Sequence, residues 1–356
     1  MSFTDLKRRE IKNYLLRKID EDVPALTSKV ADAFGISATS VKRYLEAELS
    51  DRHIHPDKER ECGYGLETVR KSFIYDIDKL SEDEDGIVYE DILPILNVND
   101  KAGRIWRYTL PEIFNNAIEH SQGHKVKVNA ELNYLYCRIC VTDDGIGIFR
   151  NILEVMKKQG YVDPKYSDAV MELYKGKFTS IPERHTGEGI FFTMRLLDKL
   201  AIVSEGTMLR SGYSGEVSYI RSHLLSYAMK LSGKGTVVIM QIENETKRDA
   251  SEVFSTYADV DEGFIITRIP VFEACLDRDP IARSQARRMC ARLDSFKEAV
   301  LDFDKVDIMG QGFADEVFRV YAKSHPTVTL KPINMNADVQ RMYLYTINNK
   351  VEVPRF

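Results

Sequence analysis

The chain has 356 residues, 44% apolar and 29% charged, with 50 Lys and Arg against 55 Asp and Glu for a net charge of −5. That is more chain than one core holds, in a composition proper to a globular protein of two or three domains. The slight acidity gives no global pull toward nucleic acid, no apolar run is long enough to span a bilayer, and "MSFTDLKRREIKN" lacks the apolar stretch of a secretory leader.

The first block runs over residues 1–80, up to the acidic break "SEDEDG" (Ser81 to Gly86). It holds "LTSKVADAFGISATSVKRYLEAE". Val30, Ala31 and Phe34 repeat at helical spacing, Gly35 interrupts, and Ser37 is placed to cap a second helix carrying Val41, Tyr44 and Leu45. Helix, glycine turn and helix resemble a bacterial helix-turn-helix domain, winged if "VRKSFIYDI" supplies the wing. On that resemblance Ser37, Thr39, Ser40, Lys42 and Arg43 would face a DNA groove. Residues 1–51 hold nine basic and nine acidic residues, so DNA binding requires the charges to segregate to one face. Docking to a protein partner, or homodimerisation, is the competing use.

The second block spans residues 87–245 and ends at the polar linker "ENETKRDASE". Its first marker is "LPEIFNNAIEHS" (Leu110 to Ser121). On a helix Leu110, Ile113, Phe114, Ala117 and Ile118 share one face, and Glu112, Asn116 and His120 line the other. That line is either a wet surface or the wall of a site. Two strand-like runs follow. The second, "YLYCRICVTDD", places Cys137 and Cys140 on opposite faces, so this C-x-x-C does not clasp a metal. All five cysteines lack a disulfide framework, which fits a cytoplasmic protein.

Next comes "DDGIGI" (Asp143 to Ile148), an aspartate at a strand end followed by glycines that let backbone approach a ligand closely. Then Thr186, Gly187 and Gly189 precede an apolar helix, a glycine loop offering backbone N–H groups to an anion. The polar run before it, "LYKGKFTSIPER", has the length of a mobile lid. "GKGTVVIMQI" closes the block.

In this order and spacing the markers resemble the GHKL ATP-binding superfamily, which includes gyrase, the heat-shock chaperone ATPase, histidine kinases and mismatch-repair ATPases. The nearest likeness is to the histidine-kinase-like and anti-sigma-factor kinase group. The resemblance implies a Bergerat-type α/β sandwich with ATP and Mg²⁺ as cofactors. It assigns Asn116 to the metal and Glu112 to general-base work. Asp143 reads adenine, with Thr236 at the adenine edge. Gly145 and Gly147 shape the pocket floor, and Thr186, Gly187 and Gly189 form the phosphate loop. His120 touches phosphate or caps the pocket. No Walker-type lysine motif is present.

The third block, residues 260–356, alternates strands and helices as a small α/β domain does. "SQARRMCARLDSF" followed by "VLDFDKVDIMGQGFADEVFRVYA" resembles the STAS-like fold of anti-sigma-factor antagonists. Their phosphoserine turn here reads Asp307-Ile308-Met309-Gly310, without an acceptor serine. Ser284 is a candidate helix cap, and Arg283, Arg287, Arg288 and Arg292 read as a solvated helix face. The chain is thus expected to be a multidomain α/β protein: a winged helix-turn-helix, a GHKL sandwich and a STAS-like domain. The implied function is a prokaryotic regulator. Mg-ATP binding or hydrolysis would switch docking between the GHKL and STAS-like domains and output through the first block. Alternatives are a serine/threonine kinase acting on a partner, and a stress or phage-defence ATPase driven by dimer rearrangement.

Overall fold

The computed structural model describes residues 3–80, 84–96, 98–179, 186–212, 234–275 and 279–348. Helix α1 (Asp5–Asp20) starts at Thr4, whose side chain accepts from the Lys7 N–H. Helix α2 (Leu26–Phe34) ends at Gly35, held at φ +61°, a left-handed cap that favours glycine. Ser37 then caps α3 (Ala38–Ser50), its Oγ accepting from the Ser40 N–H at 3.2 Å. Ile11, Leu15, Val30, Val41 and Leu45 meet in a core of their own, closed by Ile54 and Leu66. These last two come from a small hairpin, β1 (Ile54–Pro56) and β2 (Tyr64–Leu66).

The stretch expected as a wing is not part of this hairpin. As β3 (Val69–Asp76) it pairs along its whole length with β4 (Lys125–Leu132) and forms the edge of the central sheet. The reason is its alternation: Phe73 and Tyr75 pack onto the central core, Tyr75 edge-on to Phe114 at 5.5 Å.

That sheet is six-stranded and antiparallel, in the order β3-β4-β5-β8-β6-β7, with β5 (Tyr136–Asp143), β6 (Lys199–Ser204), β7 (Thr207–Ser211) and β8 (Val237–Glu243). A short helix α4 (Glu84–Ile87) precedes α5 (Asp100–Glu119), which lies on the sheet with α6 (Ile148–Lys158), α7 (Tyr166–Lys175) and α8 (Gly189–Leu196). Period-two alternation sends Cys137, Ile139 and Val141 of β5 into the helix-covered core and Cys140 into a smaller cluster on the other face. The two thiols are therefore kept apart, as their spacing predicts. Pro111 sits inside α5 and removes the donor that Arg107 O would otherwise receive; the Tyr89 hydroxyl donates to that carbonyl at 3.2 Å instead.

Helix α9 (Ala250–Tyr257) and the two-residue strands β9 (Ala258–Asp259) and β10 (Gly263–Phe264) lead into the C-terminal unit. Here β11 (Ile266–Pro270), β12 (Glu298–Asp302) and β13 (Thr329–Ile333) form a parallel sheet. They alternate with α10 (Arg283–Cys290), α11 (residues 311–324) and α12 (Ala337–Asn348). Helix α10 stops short of Phe296: Ala291 leaves helical geometry at ψ 130° and Arg292 then turns left-handed, φ +63°. Ser284 lies inside α10 and Ala282 stands at its cap. Of the four arginines, Arg283 and Arg287 are exposed, as expected of a solvated face, and pair with Asp315 and Glu316; Arg288 and Arg292 are part-buried and pair with Asp168 and Glu172, all at 2.6–3.2 Å. One apolar core runs from Val88 to Val339, so the central sheet and the C-terminal unit are fused through shared packing. Among the described residues no helix is long and apolar enough to cross a membrane.

Trp106, the chain's only tryptophan, is fully buried in this shared core. Trp106→Ala is expected to cost about 3–5 kcal/mol, read by urea denaturation followed by circular dichroism; a loss under about 1 kcal/mol would contradict the packing described.

Candidate functional site

Helix α5 is fixed to the sheet by Trp106, Leu110, Ile113 and Phe114, all buried. Helical geometry then aims the opposite line, Tyr108, Glu112, Asn116 and His120, at a cavity of about 310 Å³ between α5, α7, α8 and the sheet. These polar side chains are half-buried in the cavity wall, not a wet face. From Tyr108 to His120 the line spans 12 residue steps, about 18 Å at 1.5 Å per residue.

At one end stands Asp143. It continues the inward-facing series Cys137, Ile139, Val141, so pleating alone carries a carboxylate into the core. Its Oδ1 accepts the N–H groups of Gly145 at 2.9 Å and Thr236 at 3.2 Å. Burial pushes its carboxyl up to about 6, against the pull of those hydrogen bonds. Thr236 is itself buried, and its Oγ1 accepts from the Ile148 N–H at 2.9 Å. The neighbouring Asp144 is used differently. Its Oδ1 accepts from His124 N at 2.7 Å and Lys125 N at 2.9 Å, closing the turn before β4.

Gly145 and Gly147 are not among the cavity-lining residues. They allow the loop behind the cavity to close. A Cβ on Gly145 would strike Ser121 O, and one on Gly147, at φ +89°, would strike Ser204 Oγ. The Ile146 N–H donates to Ser121 O at 2.8 Å and locks this loop to the end of α5. Asn151 Nδ2 adds a bond to His120 O at 2.9 Å.

At the other end Thr186, Gly187 and Gly189 line the cavity where α8 begins. Gly189 lies against the Glu112 carboxylate, which would have to move to admit a Cβ there. A Cβ on Gly187, at φ +74°, would sit 2.6 Å from the Phe178 backbone. Glu188, between the glycines, also lines the cavity, and burial raises its carboxyl. The Tyr108 hydroxyl is pushed up by burial and by the nearby charges of Glu112 and Glu188. This end offers carboxylate and amide oxygens beside the backbone N–H groups of a helix start. The expected lid divides: Leu173 to Lys175 finish α7, residues 176–179 line or border the cavity, and 180–185 lie outside the described residues.

Sequence reasoning passed over Tyr108, Asn151, Glu172 and Glu188, all on the cavity wall. Tyr108 had a signal, one turn before Glu112 on the same line. Glu172 had none, because its place depends on how α7 packs. On α3, away from this cavity, Thr39, Lys42 and Arg43 are exposed, Ser40 is half-buried, and Ser37 is engaged as the cap.

The folded state favours a neutral Asp143, so the stability it contributes is present below about pH 4 and lost as pH rises through about 6. Above pH 6 its charge costs about 3 kcal/mol. Asp143→Asn keeps an oxygen for the same two N–H groups and cannot ionise. It is expected to stabilise the ligand-free protein at about pH 8, with the gain shrinking toward about pH 4, as measured by urea denaturation across that range.

Residues 285–340 match the family described as STAS-like domain of unknown function (DUF4325). No curated protein matches the chain. The C-terminal unit is STAS-like.

Proposed function

We propose that the chain is a cytoplasmic Mg-ATP-dependent regulator with a GHKL-type central domain. The carrying observation is convergence: Glu112, Asn116, Asp143, Thr236, Gly187 and Gly189, scattered over 125 positions of sequence, line one cavity. In this reading the Asp143 carboxylate accepts from the adenine amine and Thr236 supports it. The N–H groups opening α8 take phosphate oxygens. The Asn116 amide oxygen, with the Glu112 carboxylate one turn away, suits a hard cation such as Mg²⁺. That ion would neutralise phosphate charge and offset the acidity of Glu112 and Glu188. Glu112 then serves as the base toward a water or hydroxyl.

We further propose that α2 and α3 form a DNA-reading helix-turn-helix. Arg9 and Arg17 of α1 are engaged by Glu245 and Glu243, and Lys12 by Glu48. Among the described residues Lys42 and Arg43, both exposed on α3, hold no ion pair. These two, with Thr39, are the groups offered to a duplex.

ATP titration with Mg²⁺ tests the first proposal. Wild type is expected to bind, Asp143→Asn and Asn116→Ala to lose at least tenfold in affinity, and Glu112→Ala to bind without turnover. A wild type that fails to bind ATP overturns the reading. For the second, the pair Lys42→Ala and Arg43→Ala is expected to weaken retention of DNA fragments at least tenfold and to flatten the salt dependence. If wild type retains no DNA at low salt, α3 is a protein-docking helix.

A further inference from the structure

One wall of the cavity is the stretch 172–179, through Glu172, Leu173, Gly176, Phe178 and Thr179. Its polar anchors come largely from the C-terminal domain. Lys175 is buried, and its Nζ donates to Ala291 O at 2.7 Å and Arg288 O at 3.2 Å, besides Glu172 at 2.6 Å. Arg292 reaches back the other way. Its Nη1 donates to Glu172 Oε2 and its Nη2 to Lys177 O, both at 2.6 Å, with the guanidinium 5.3 Å from the Phe178 ring centre. Thr267 Oγ1 donates to Lys175 O at 2.7 Å and Lys177 Nζ to Ser295 O at 3.0 Å. Arg292 adopts its left-handed backbone at this clasp, a conformation that a non-glycine residue holds only when its surroundings fix it.

The clasp continues to the glycine loop. The Lys177 N–H donates to Gly187 O at 3.0 Å, and Phe178 backbone fills the space where Gly187 lacks a side chain. Arg292 therefore sets the position of Lys177 and Phe178, and they set the position of Gly187. The opposite end of the cavity, Asp143 with Thr236, is held by β5 and β8 and has no part in the clasp.

We propose that Arg292 of the STAS-like domain is a positioning residue for the phosphate loop, so that the ATP site is complete only with that domain docked. The inference rests on the nucleotide reading above and names how that site is regulated. By linkage, a partner that draws Arg292 off the wall weakens ATP by the same factor by which ATP opposes the partner.

The test uses the full chain and competition against a fluorescent ATP analogue, with ATP and adenosine as competitors. Arg292→Ala is expected to weaken ATP at least tenfold and to leave adenosine within twofold. Arg292→Lys should fall between, because one ammonium cannot bridge both acceptors as the guanidinium fork does. Arg287→Ala, which breaks a pair with Glu316 inside the C-terminal domain, should change neither. Unchanged ATP affinity in Arg292→Ala overturns the proposal, and so does an equal loss of ATP and adenosine, which marks general loosening. If wild type binds neither compound, the nucleotide reading fails and this inference falls with it; the two failures are thus told apart.

Discussion

The seating of α5 on the central sheet is the constraint from which the rest follows. Trp106, Leu110 and Phe114 have no exposed surface, so the helix cannot rotate without opening the core. Once that ridge is fixed, the ridge Tyr108, Glu112, Asn116, His120 has one direction left, the gap toward α7 and α8. A row of polar side chains cannot close such a gap as apolar ones would, and a cavity persists. Pro111 belongs to the same constraint. It is buried within the helix, and the carbonyl it frees is taken by Tyr89 from outside.

Two kinds of charge hold the chain together, and they differ in consequence. Glu172 and Lys175 are buried ions, and Arg292 completes their pairing. Burying ions costs several kcal/mol each before pairing returns it, so such a cluster specifies one arrangement more than it adds net stability. The N-terminal helices are attached otherwise. Arg9–Glu245 and Arg17–Glu243 are largely exposed pairs, worth at most about 1 kcal/mol each and screened by salt. Beside them stand the Tyr136 hydroxyl on Asp20 at 3.0 Å and the Tyr134 ring against His53 and Lys12. The C-terminal attachment is a shared core; the N-terminal one combines these polar contacts with Tyr134 and Leu135 packed against a separate core.

What the sequence revealed was local chemistry. The helical line at Glu112, Asn116 and His120 needs only the 3.6-residue period, and the opposed faces of Cys137 and Cys140 need only the two-residue one. The cap at Ser37 and the left-handed turn at Gly35 follow from backbone preferences alone. What it hid was set by distant partners. The strand Val69–Asp76 reads equally well as a wing until Phe73 and Tyr75 find the central core. That Gly145 and Gly147 also let a loop close on Ser121 and Ser204 depends on residues distant in sequence. Arg288 and Arg292 look solvated because their acids, Asp168 and Glu172, lie more than a hundred residues earlier in the chain.

The same two strands touch both the N-terminal attachment and the cavity. Strand β5 begins at Tyr136, bonded to α1, and ends at Asp143 in the cavity wall; β8 runs back from beside Thr236 to Glu243, the partner of Arg17. Eight residues of strand separate the two ends, about 25 Å. A closely packed sheet is a poor carrier of graded strain over that distance, and coupling between sites needs an element with two discrete arrangements. Among the parts that meet at the far end, the exposed pairs of α1 with Glu243 and Glu245 are the ones whose exchange for water costs least. Any influence of the cavity on α1–α3 would therefore be expressed as the docking or release of the three helices together, since Ile11, Leu15, Leu16 and Ile19 tie α1 into one core with α2 and α3, with the sheet as a rigid frame. The clasp at Arg292 acts at the other end of the cavity, on Lys177 and through it on Gly187, and has no part in that contact.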